Sequence, residues 1–162
     1  MTAMNVVTVA NLGDSFSVGG QTPGKIEAAT VVNGVVELPG DYNFVAMNVW
    51  EATGLQVTLP QAGIYLLFAD VRGVVIPASS GSVFVFARLF NGTDNAPVPA
   101  THRLVIRAEG QAEAVGSIQT VAAFGGAATI RLEARLAGVA GSSGNVYSRA
   151  NGRTALGYVR IA

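Results

Sequence analysis

Gly63-Ile64-Tyr65-Leu66-Leu67-Phe68-Ala69-Asp70-Val71-Arg72-Gly73-Val74-Val75-Ile76 and Val83-Phe84-Val85-Phe86-Ala87-Arg88-Leu89-Phe90 decide the fold, because both are apolar in either direction. A strand of an ordinary two-layer sheet protein alternates, one face meeting the core and the other meeting water. Here Ile64, Leu66 and Phe68 alternate with Tyr65, Leu67 and Ala69, and residues 71–76 leave little for solvent. Something must cover the outer face as well. In a chain so rich in β-formers, the expected cover is another copy of the chain.

Composition points the same way. The 162 residues make one domain of ordinary size, large enough for a core. Charged residues are 12% of the chain, against roughly 25% in a typical soluble domain. A folded monomer of this mass exposes on the order of 7,600 Å², which ten acids and ten bases coat thinly. No run approaches the ~20 apolar residues of a membrane helix. An obligate oligomer and an outer-membrane β-barrel both fit this pattern. The barrel is disfavoured, because it needs polar lumen faces and aromatic girdles, and aromatics are only 7%.

Net charge is zero, so no electrostatic footprint for nucleic acid or anionic lipid is present. Lys25 stands alone against arginines at nine positions, and arginine suits interface ion pairs. A GC-rich genome accounts for that bias equally well. The absence of cysteine leaves packing and assembly as the sources of stability. The N-terminus lacks a basic segment followed by an apolar core, so no signal peptide is expected.

No window carries a helical period, and glycine and proline punctuate short β-rich runs throughout. Residues 1–25 read as an extended arm and 26–162 as one sandwich domain. Asn33-Gly34 predicts a hairpin turn between Ile26–Val32 and Val35–Leu38. Strands are expected at Tyr42–Trp50, Leu55–Leu59, Gly63–Ile76, Val83–Phe90, His102–Ala108, Gly116–Phe124, Thr129–Leu136 and Thr154–Ile161. In the Thr129–Leu136 run, Ile130, Leu132, Ala134 and Leu136 should point inward, with Arg131, Glu133 and Arg135 outward. About ten strands without helix predict an all-β jelly roll of two sheets.

Two stretches carry a family resemblance. Val57-Thr58-Leu59-Pro60-Gln61-Ala62-Gly63-Ile64-Tyr65-Leu66-Leu67-Phe68 resembles the signature of tumour necrosis factor/complement globular-head jelly rolls, in which a strand ends in a turn and resumes as Gly-x-Tyr. Gly63 and Tyr65 match it, while Val57 and Leu67 stand where that family often has phenylalanine. The closing run Thr154-Ala155-Leu156-Gly157-Tyr158-Val159-Arg160-Ile161 is similar to that family's last strand. The resemblance implies a ten-stranded sandwich assembling as a homotrimer. It places Tyr65, Leu67, Phe84, Phe86 and Tyr158 near the threefold axis, with the alternate strand face as the other option.

Candidate chemistry is sparse. His102, the single histidine, lacks nearby ligands or a catalytic partner and reads as an exposed residue at a strand start. Asn91, Asp94 and Asn95 could offer oxygens to calcium but read better as a polar turn. Asn91-Gly92-Thr93 matches the glycosylation triplet and also reads as turn chemistry. Glu109 and Glu113 are expected in a loop around Gly110, too isolated for acid–base work. Trp50 is expected in core or interface rather than as a sugar platform. No catalytic residue, cofactor or metal is expected, and the chain is not expected to be an enzyme.

The expected role is structural: a bacteriophage virion protein, specifically a trimeric capsid decoration (cement) protein binding the major capsid protein on the outside of the head. The alternative is a trimeric receptor- or carbohydrate-binding head whose loops 91–101 and 138–152 read a surface ligand.

Overall fold

The computed structural model describes residues 31–150 and 152–162. The expected arm at 1–25 and the first half of the expected hairpin, up to residue 30, lie outside the described residues. Among the described residues eleven strands follow one another: β1 (Asn33–Glu37), β2 (Tyr42–Asn43), β3 (Glu51–Leu59), β4 (Gly63–Ile76), β5 (Val83–Asn91), β6 (Ala96–Pro97), β7 (Arg103–Ala108), β8 (Ala112–Phe124), β9 (Ala128–Gly138), β10 (Ser143–Val146) and β11 (Ala155–Arg160).

Their pairing is nested. The first strand lies antiparallel to the last, β1 on β11; inside that come β3 on β9, β4 on β8 and finally β5 on β7. The chain is thus one long antiparallel ribbon, folded at its midpoint near residues 92–102. The ribbon is then rolled so that β11 also meets β4 and β5 also meets β9. Rolling yields a six-stranded sheet holding β1-β11-β4-β8 with β10 and β2, and a five-stranded sheet holding β3-β9-β5-β7 with β6. That double Greek key is a jelly roll.

Alternation along each strand sends one side chain set between the sheets. Tyr65, Leu67, Ala69, Val71 and Val75 of β4 meet Val83, Val85, Ala87 and Leu89 of β5 across a single core. Ile130, Leu132, Ala134 and Leu136 of β9 complete it, as the alternation of that run requires. At roughly 25 cal/mol per Å² of apolar area removed from water, this layer is the main favourable term in folding.

Three local expectations need correction. Asn33-Gly34 opens β1 instead of turning a hairpin: Gly34 pairs with Tyr158, and a Cβ there would sit 2.8 Å from the Tyr158 ring. The glycine makes room for an aromatic side chain. Tyr42–Trp50 is strand only at its first two residues, because the Glu51 carboxylate accepts hydrogen bonds from the Val45 and Ala46 N–H groups at 3.0 and 2.8 Å, and Asn48 takes φ 61°. The edge strand β8 starts at Ala112, so Glu113 lies opposite Val74 in a ladder and not in a loop. By contrast, β4 runs unbroken over Gly63–Ile76 and exchanges partners, β11 up to Asp70 and β10 from Gly73.

Candidate functional site

Two outer faces hold what the core leaves over. On the six-stranded sheet, the register sets Val159, Leu66 and Val121 side by side across three strands. One rung on, Val35, Gly157 and Phe68 form a second row. The Phe68 ring lies over Gly157, where a Cβ would meet it at 2.4 Å. Val35 and Val121 are each 59% exposed, and Ile64 on the same face is 40% exposed. The band ends at a polar rung, where the Ser117 hydroxyl donates to Asp70 at 2.6 Å.

This face decides which residues can meet a neighbour. Tyr65, Leu67 and Tyr158 point the other way, into the core: the first two are wholly buried, and the Tyr65 hydroxyl donates to the Gln61 carbonyl at 2.9 Å. Placing them at a subunit contact is therefore corrected, and the opposite set, Ile64, Leu66, Phe68 and Val159, occupies the outer face. Both sides of β4 and β11 are apolar in sequence, and only the parity of the pleat distinguishes them.

Phe84 and Phe86 belong to the other sheet altogether. They project half-buried from β5 and stack on each other at 6.0 Å, and Phe90 lies further along the same face. Arginines lie on these rings: Arg107 over Phe84 at 5.8 Å, Arg135 over Phe86 at 5.0 Å and Arg131 over Phe90 at 4.4 Å. Trp50 joins the group, with Arg88 4.3 Å and Arg135 5.0 Å from its ring centre. His102, exposed as expected, sets its ring edge-on to both Trp50 and Phe86 at 5.2 Å. Glu133, the carboxylate at the centre, is buried and receives Arg88 and Arg131, each at 2.7 Å. The outward stripe Arg131-Glu133-Arg135 was legible by alternation. Its aromatic partners were not, because they come from β5 and from residues 50 and 102.

The loops offer less. Asn91 is buried; its amide donates to Asp94 at 2.7 Å and its carbonyl accepts from the Thr93 and Asp94 N–H groups. These contacts make a polar turn. An open cleft of about 310 Å³ beside it is lined by Asp94, Pro97, Pro99 and Phe124. Among the described residues, no three His, Cys, Asp or Glu side chains gather as a metal site, and no helix is long and apolar enough to cross a membrane.

Two carboxylates are tuned by structural roles. The Ser148 N–H and the Arg149 guanidinium hold Asp41 below the usual range. Burial pushes Glu51 up, but hydrogen bonds from Tyr42, Val45 and Ala46 outweigh it and leave the carboxyl lowered. Burial, with the Glu51 contact added, pushes Tyr42 up to about 12.

No family model and no curated protein matches the sequence. Similar solved structures include Eiger TNF from S. frugiperda, 13% identical, with 82% of this chain and 93% of that one aligned at a TM-score of 0.42. The infectious bursal disease virus VP2 subviral particle is 17% identical, with 93% of this chain aligned at 0.42. The Gt strain of that virus is 14% identical, with 93% aligned at 0.43. This chain spans less than half the length of the two viral proteins, 43% and 44%. These likenesses are distant and concern the fold alone. The chain is an all-β jelly roll of two antiparallel sheets, as its strand order establishes.

Proposed function

We propose that this chain is a structural subunit that assembles as a homotrimer and acts as a decoration protein on the outside of a phage capsid, without a catalytic role. The apolar band over Val35, Ile64, Leu66, Phe68, Val121 and Val159 carries the reading. Among the described residues that band stays wet in a lone subunit, whereas a contact of obligate size buries roughly 2,000–5,000 Å². Head-to-tail contacts close into a ring when their rotation divides a full turn. The trimer, the capsid partner and the virion location go beyond the fold and stand as the reading that this surface supports best.

Two measurements test it. Light scattering should give three times 16.6 kDa, and a stable monomer would refute self-assembly. Mixed with purified expanded phage heads, the protein should bind and raise their melting temperature. The open cleft beside Asp94 and Phe124 favours a second reading, a trimeric head that binds a receptor or carbohydrate through its loops. Binding to glycans without binding to heads would select it.

A further inference from the structure

We propose that the outer face of the five-stranded sheet docks an acidic, extended segment of a partner polypeptide, with Arg135 as its anchor. The inference rests on reading the chain as a protein-docking module and deepens it by naming the surface and the chemistry of the partner. It uses different residues from those of the self-association face.

Charge is unmatched here at Arg135. Glu133 places one oxygen on Arg88 and the other on Arg131, so both of its acceptors are taken. Among the described residues Arg135 makes no ion pair, and its Nε is buried without a hydrogen-bond partner. Its guanidinium instead lies 5.0 Å from the centres of both Trp50 and Phe86. Stacking on aromatic rings fixes a guanidinium plane, and a fixed plane is ready for two parallel hydrogen bonds to a carboxylate. Arg107, on the far side of Phe84, is 62% exposed and pairs with Glu109 only at 4.0 Å.

The kind of partner follows from what the rings already do. Trp50 carries two guanidiniums and Phe86 stacks on Phe84, so a sugar finds few bare ring faces. Aromatic side chains with arginine, and with lysine absent, are the composition of protein–protein interface centres. Strand addition is ruled out for β5, which is hydrogen-bonded on both edges. Recognition across the face of β5 and β9 therefore runs through side chains. An extended segment presents every second side chain at ~6.6–6.8 Å, the same repeat as the outward residues of β5 and β9.

Trp50 is the one tryptophan of the chain and lies in the cluster, so its fluorescence reports occupancy. The full chain is titrated with a short peptide alternating Glu and Thr, then with its Gln–Thr counterpart and with polygalacturonate. The Glu–Thr peptide should give a saturable change that weakens as salt screens the charges. Arg135→Gln and, separately, the exposed Arg107→Gln should each bind roughly tenfold more weakly. The Arg107 variant keeps the test intact if the Arg135 variant misfolds. No saturable response, equal responses to the Gln–Thr peptide or the polyuronate, or unchanged affinity in both variants would overturn the proposal. Peptide binding by a chain that light scattering finds monomeric would support docking while refuting the trimer.

Discussion

Gly157 shows how much one missing methyl group decides. Its Cβ would enter the Phe68 ring and approach the Gly34 carbonyl at 3.0 Å, so the apolar band can pack flat only over a glycine. Gly157→Ala should cost about 1–3 kcal/mol of stability through overpacking, measured as a lowered urea midpoint. Glu133 is the matching case in charge. Glu133→Gln leaves Arg88 and Arg131 facing each other across a half-buried site. Both guanidiniums keep some access to water, so the expected loss is about 2 kcal/mol, less than for a fully buried pair. A denaturant titration that found no loss would show the pair to be idle. Sequence alternation placed Glu133 outward, but its burial depends on Arg88 of β5 as well as on Arg131 of its own strand.

At the scale of elements, the segment between β2 and β3 is held by carboxylates instead of by a ladder. Glu51 gathers the Tyr42 hydroxyl and two backbone N–H groups, while Asp41, just before β2, ties the start of that strand to Ser148 and Arg149. Both carboxyls titrate below their ordinary values of 4.5 and 3.8 in the folded chain. They therefore contribute stability that is complete above those values and drains as pH falls through the lowered ones. Denaturant midpoints should drop between neutral pH and about pH 3, and Glu51→Gln should shrink that drop. An equal drop in the variant would remove Glu51 from the account. The run Tyr42–Trp50 looked like a strand because its composition is apolar. Composition carries no record of the Glu51 carboxylate, which captures the Val45 and Ala46 backbone donors.

For the whole molecule, the two outer faces differ in chemistry, one an apolar band and the other arginine laid on aromatic rings. Val121 lies on the edge strand β8 and is mostly exposed, so a charge there costs the isolated fold little. Val35→Asp combined with Val121→Asp should leave a folded chain of 16.6 kDa by light scattering, with wild-type circular dichroism. Retention of the wild-type oligomer would move the contact elsewhere. Together with sizing of the unaltered chain, this assigns the band to self-association or frees it for another partner.

The amino-acid sequence alone determined the class: period-two alternation, punctuating glycines and strands apolar on both sides leave an all-β sandwich with a surface to cover. It also marked β4 from Gly63 to Ile76 and the inward set of β9, since alternation is a local property of the pleat. Tertiary structure decided which parity of β4 and β11 faces inward, sending Tyr65, Leu67 and Tyr158 to the core and Leu66, Phe68 and Val159 outward. When both parities are apolar, the hydrophobic pattern is symmetric, and only the sheet packed opposite breaks the tie. The same holds for Arg135, Trp50 and Phe86, which are distant in sequence and meet because the ribbon is rolled.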